Sequence, residues 1–159
     1  MSPDEKIKEL NLILPETVKV PPGLKIPFAW VRARGNRAFI AGHIALNPDG
    51  SIYGVRGKVG GEVSIEEGYH AARLTALAML SSLKQELGSL DRVRAWLRVF
   101  GMVNVAPGFV QTPAVINGFT DLILEVYGKD RGIHSRSAVG VAELPFGAPV
   151  EIEAEVEIS

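Results

Sequence analysis

The sequence predicts an α+β sandwich of order ββ-α-β-α-ββ, a mixed sheet with two helices on one face. Three observations predict it: two strand-like runs meet at a Gly-Asn pair, two stripes at helical spacing flank a β-branched run, and the last residues alternate apolar with Glu. At 159 residues, with 47% hydrophobic and 22% charged side chains, the chain is one domain's worth and wholesale disorder is excluded. The expected organisation is a single domain over 1–159, with residues 1–26 as an N-terminal extension.

The first hairpin pairs Phe28–Arg34 with Arg37–Ile44 across Gly35-Asn36, a two-residue turn signal. Asn47-Pro48-Asp49-Gly50 forms a second turn and opens a glycine-rich segment to Gly61, read as a long irregular loop. Ser64 and Glu67 have capping-box spacing, and Ile65, Tyr69, Ala72, Ala76, Met79, Leu80, Leu83 and Leu87 recur every three or four residues. Gly88 supplies a left-handed cap, so a helix spans 64–87. The run from Arg92 to Val105 is a long strand. Thr112 and Pro113 read as an N-cap and first helical residue of a second helix ending at Gly128. Ser135–Ala142 and Ala148–Ile158 are the last two strands.

Two helices cover one sheet face. Around Trp96–Val105 and Ser137–Ala142 the strands are apolar or small on both faces, so the other face is expected to pack on another copy of the chain.

Seventeen basic against eighteen acidic residues give a net charge of -1, without the global positive field that draws proteins to nucleic acid or anionic lipid. Zero Cys removes disulfides, thiol nucleophiles and Cys-zinc sites. Met1–Leu14 shows no secretion-signal pattern and no window approaches ~18 uninterrupted apolar residues, so the expected location is cytoplasmic. No two glycines have a single residue between them, which excludes a dinucleotide fingerprint, and Val59 after Gly57-Lys58 breaks a Walker motif. His43, His70 and His134 fall on separate elements without metal-ligand spacing, so no metal is expected. Arg32 and Arg34 face one side of the first strand, and Arg92, Arg94 and Arg98 one side of the third, opposite Trp96. They form either a polar stripe or an RNA-contacting surface, and the neutral net charge favours the stripe.

Arg136 enters a strand otherwise made of Ser, Ala, Val and Gly, where a guanidinium either pairs with a carboxylate of the protein or waits for one on a ligand. Glu151 opens the next strand opposite Val150 and Ile152. The row Glu151, Glu153, Glu155, Glu157 reads by itself as a solvent-facing comb.

His134-Ser135-Arg136-Ser137-Ala138-Val139-Gly140-Val141-Ala142-Glu143-Leu144-Pro145, followed by Val150-Glu151-Ile152-Glu153-Ala154, resembles the signature of the reactive-intermediate (enamine/imine) deaminase family. This YjgF-like group is also labelled endoribonuclease L-PSP. Phe39–Ile44 resembles the family's second strand, and Val115-Ile116-Asn117 its second-helix Asn. The resemblance covers about residues 27 to 157.

It implies a chorismate-mutase-like fold and a homotrimer with ligand clefts between subunits, working without metal or organic cofactor. By the resemblance Arg136 grips the carboxylate of a 2-imino or 2-enamino acid and Glu151 positions the hydrolytic water, with Phe28, Ala41, Gly42, Asn117 and Ala138 lining the cleft. Three of these depart from the family: Phe28 stands for Tyr, Ala41 for Ser and Ala138 for Cys. The expected function is hydrolytic deamination of a small carboxylated metabolite. A carboxylate-binding sensor is the first alternative, and an endoribonuclease or RNA-binding protein the second.

Overall fold

The structure, a computed structural model, describes residues 1–159. Its sheet has five strands, β1 (Val31–Arg34), β2 (Arg37–His43), β3 (Val93–Asn104), β4 (Ser135–Val141) and β5 (Val150–Ile158), in the order β1-β2-β5-β3-β4. Every neighbouring pair is antiparallel except β3 and β4, whose parallel pairing follows from the helix that joins them. The helices are α1 (Pro3–Glu9), α2 (Ile65–Leu87) and α3 (Thr112–Gly132).

The hairpin turns at Gly35, whose φ of 58° is the left-handed conformation that the turn requires. β1 is shorter than the expected Phe28–Arg34, and of the residues before it Trp30 alone holds β2, accepting a hydrogen bond from the Ala41 N–H at 2.9 Å. α2 starts at the predicted capping box, Ser64 with Glu67, and stops at Gly88 with φ 81°.

At α3 the expected cap is displaced. Gln111 is the N-cap, and the Thr112 hydroxyl instead donates to the Ala138 carbonyl at 3.0 Å, tying the helix start to β4. Gly128 does break the helix, with φ 71° and ψ 174°, but one more turn follows to Gly132.

Alternation sorts the sheet into two faces. Val99, Gly101 and Val103 of β3, with Val150, Ile152, Ala154 and Val156 of β5, point at α2 and α3 and are in register. Gly101 has no room for more: a Cβ there would lie 2.7 Å from Ile116 Cγ1. The helices meet just as closely, since a Cβ on Gly118 would lie 2.0 Å from the Tyr69 carbonyl oxygen. Trp96, Phe119 and Tyr127 stack edge to face in the centre of this layer.

No α-helix of the chain covers the opposite face, and only around Glu151 do the segment before β1 and Pro145-Phe146 close on it. It bears exposed Phe39 and Val139 and half-buried Phe100 and Met102, yet the Glu151–Glu157 row stands on it too. It is therefore a mixed face, on which the apolar residues expected of β3 and β4 lie beside the carboxylates of β5. Arg37 binds Glu155 at 2.7 Å across it. Arg92 does not join the row of β3 arginines: it sits in a 3-10 turn, donating to the carbonyls of Leu87 and Ser159.

The N-terminal extension is part of the fold. Ser2 and Glu5 cap α1 reciprocally, Ile7 is buried, and Asp4 accepts from Ser89 Oγ at 2.6 Å, Lys84 Nζ at 2.9 Å and the Leu90 N–H at 3.2 Å. Beyond α1 the chain crosses α2, where Ser81 donates to the Pro15 carbonyl at 2.6 Å. The glycine-rich segment, though irregular, is anchored by Val59, wholly buried, whose N–H donates to the Asn104 carbonyl. No helix is long and apolar enough to cross a membrane.

Candidate functional site

Arg136 is registered with Val99 and so points to the helix side of the sheet, at its β4 edge. There its guanidinium donates to Asn117 Oδ1 at 2.9 Å, Thr120 Oγ1 at 3.0 Å and the Pro113 carbonyl at 3.4 Å, all from α3. Each acceptor is neutral, and Arg136 makes no ion pair within the chain. Burial pulls its pKa below the ordinary arginine value, with Asp121 opposing. A partly buried cation oriented by three neutral oxygens is set up for an anion from outside. Asn117 and Ala138 belong to the same corner: Asn117 holds the guanidinium, and Ala138, next but one along β4, faces the same side. His134 Nε2 lies 3.0 Å from the same Thr120 hydroxyl.

Glu151 is registered with Met102, between wholly buried Val150 and Ile152, so it points to the opposite face. Burial raises its pKa above the usual carboxylate value, helped by Glu153. The β2–β5 register shifts between Ile40 and His43, and this bulge sets Gly42 against Glu151: a Cβ on Gly42 would lie 2.9 Å from the carboxyl carbon. Phe28, Gly42 and Glu151 all line a cavity of about 640 Å³ between the N-terminal segment, α2 and the end of β2.

Six of the seven sequence-predicted residues thus fall into two groups on opposite sides of the sheet. Arg136, Asn117 and Ala138 form one, and Glu151, Gly42 and Phe28 the other. Ala41 contributes backbone alone, its N–H to Trp30 and its carbonyl to His43 Nδ1 at 2.6 Å. Sequence reasoning missed Thr120, although it lies one helical turn after Asn117. His43, read from the sequence only as an imidazole without metal-ligand spacing, stands on the cavity wall with its Nε2 2.8 Å from Ser82 Oγ, a partner the sequence did not signal. With Nδ1–H given to the Ala41 carbonyl, Nε2 accepts a hydrogen bond from the Ser82 hydroxyl, and burial lowers the pKa of the ring below the ordinary histidine value. Ser82 lies inside α2, where backbone N–H groups serve the helix, so the pair has no oxyanion donor beside it and ties β2 to α2. No three His, Asp or Glu side chains converge to hold a metal ion.

Residues 22–150 match a family model described as "YjgF/chorismate_mutase-like, putative endoribonuclease". The chain belongs to the YjgF/chorismate mutase-like family. Within that family it is similar to Protein TCP17 of Trypanosoma cruzi, 38% identical over 143 residues, or 86% of this chain and 89% of the other. The crystal structure of protein Atu1372 from Agrobacterium tumefaciens, described as of unknown function, is 35% identical with a TM-score of 0.86, over 99% of this chain and 92% of that one. A Shewanella oneidensis protein bearing the same endoribonuclease label is 27% identical with a TM-score of 0.87, over 99% and 100% of the two chains.

Proposed function

We propose that the chain works as a homotrimer in which Arg136 of one copy and Glu151 of the next face a shared cleft, where a reactive 2-imino or 2-enamino acid is hydrolysed to the 2-oxo acid and ammonia. The observation that carries this is the split itself: an unpaired oriented cation and a desolvated carboxylate lie on opposite faces of one sheet. Two faces of one sheet meet at a single ligand only when a second copy supplies one of them.

In that cleft Arg136 holds the substrate carboxylate and fixes the C=N carbon, a 2-enamino acid reaching the same imine by moving a proton from its nitrogen to its β-carbon. Glu151 takes a proton from water as its oxygen bonds to that carbon, then passes the proton to nitrogen. The carbinolamine collapses, its hydroxyl proton moves to nitrogen through the same carboxylate, and the C–N bond breaks to release ammonia. A raised pKa makes Glu151 the stronger base. The electrostatics of the open sheet face do not favour RNA, because Arg37 and Arg98 there stand beside the Glu row.

Imines generated in situ by an amino-acid oxidase and trapped with semicarbazide supply the test. Arg136→Ala is expected to weaken binding of a 2-oxo acid by about 10- to 150-fold, the worth of a charge-assisted contact, with partial rescue by Arg136→Lys. Glu151→Gln is expected to cut turnover by ~10²–10⁴-fold with binding retained, while Glu155→Gln changes neither. Binding of acids without turnover of any imine would leave a carboxylate sensor in place of an enzyme.

A further inference from the structure

We infer that the cavity beside Glu151 receives a bulky, uncharged side chain of the ligand, so that the substrates are branched or aromatic acids and not the smallest ones; this rests on the reading of Arg136 and Glu151 above. The volume of about 640 Å³ lies within the roughly 300–1,000 Å³ of sites for ligands of drug size. An acid with one methyl for a side chain would leave nearly all of it unfilled.

The chemistry of the wall is apolar where a side chain would lie. Val20, Ile26 and Trp30 from the N-terminal segment face Ile44 of the stretch after β2 and Ala78 of α2. Carboxylates also line it, Glu16 and Glu86 besides Glu151, against the one cation Lys25, so an anionic side chain would meet net repulsion. Much of this wall is the segment 16–31, and its first stretch, Glu16 to Val20, precedes the family match at residue 22. Phe28, Gly42, Asn117, Arg136 and Ala138 lie inside the matched residues and Glu151 one residue past their end, whereas this part of the wall precedes them.

Phe146 adds an independent observation. It stands on the cavity wall with φ 59° and ψ 16°, a left-handed conformation that costs a bulky residue strain, and it is 38% exposed. A glycine would satisfy the backbone. An aromatic ring held there against its own preference serves as part of the wall.

The experiment is calorimetric titration of the intact protein with pyruvate, 4-methyl-2-oxopentanoate, phenylpyruvate and 2-oxoglutarate, and with indole as a probe lacking a carboxylate. Each buried methylene is worth about fourfold in affinity, so the branched and aromatic acids should bind at least tenfold tighter than pyruvate, and 2-oxoglutarate weaker than either. Ala78→Leu, which narrows the cavity at its α2 wall, and Phe146→Gly, which removes part of the wall while relieving strain, should each cut that preference below threefold and leave pyruvate within twofold. Indole should bind wild type and Arg136→Ala alike and be lost in Ala78→Leu. Equal affinity for all acids, or a preference that survives both variants, overturns the inference. If no acid binds, the carboxylate reading fails and indole decides: binding that Ala78→Leu removes keeps the cavity as an apolar ligand site, and no binding ends it.

Discussion

At position 42 the missing side chain sets where the Glu151 carboxylate stands. A Cβ would lie 2.9 Å from the Glu151 carboxyl carbon, but what it strikes is the end of a flexible side chain, and the glycine's φ is not one that excludes alanine. Gly42→Ala is therefore expected to leave the melting temperature nearly unchanged while lowering kcat, because the carboxylate swings aside. Thermal denaturation and turnover measured on one preparation check it, and full activity would place the catalytic group elsewhere. Glu151 has a pH signature as well. Its folded pKa is raised above the ordinary 4.5, first by burial and then by Glu153, so the base form is lost as pH falls while a typical carboxylate would still be ionised. The acid limb of kcat/KM should lie above 4.5 and vanish in Glu151→Gln.

Among the elements, α1 shows how a seven-residue helix persists where an isolated one would not. Its capping box satisfies its own first turn, and Asp4 then reaches out to cap the 3-10 turn at Leu90–Arg92. Burial alone would raise the Asp4 pKa, but hydrogen bonds from Ser89, Lys84 and the Leu90 N–H outweigh it and hold the group below 3.8. A carboxylate whose pKa is depressed on folding contributes stability above its unfolded value and loses it as pH falls through the folded one. Asp4→Asn should cost about 1–3 kcal/mol at pH 7, some 2–4 °C of melting temperature per kcal/mol, with the difference disappearing at pH values below that of the folded group. Melting curves across pH check this, and an equal deficit at pH 7 and pH 2 would show that shape, not charge, anchors α1. α3 makes the complementary point. Thr112-Pro113 carried the right residues for a helix start, yet the hydroxyl that looked like a cap is spent on β4, because a strand lies within its reach.

For the whole molecule the proposed division of the site across copies gives the sharpest expectation. Light scattering should return three times the 17.1 kDa chain mass at micromolar concentration. Arg136→Ala and Glu151→Gln, each impaired alone, should regain activity when unfolded and refolded together, since random mixing leaves about one cleft in four with both native groups. Were both residues to act within one chain, no mixture would contain a native site, and activity would stay at the level of the single variants. A monomer mass would overturn the shared cleft directly.

How much was legible followed from the range of the physics involved. Hairpin, capping box, glycine cap and helix stripes depend on neighbours within a few residues, so the sequence by itself determined β1–β2, α2 and the alternation of β5, and the resemblance singled out Arg136 and Glu151. Which face each of those two occupies was decided by register, through the pairing of Val99 with Arg136 and Met102 with Glu151 and through the bulge at Ala41-Gly42. A one-residue slip would exchange the faces without altering any local preference. The N-terminal segment was opaque for the same reason: its polar, proline-spaced residues carry no period, and only their contacts with α2 and the end of β2 make them the wall of a cavity. Tertiary structure alone decided that Arg136 and Glu151 stand on opposite faces of one sheet, since the face a strand residue takes is set by its pairing and not by its neighbours in the chain.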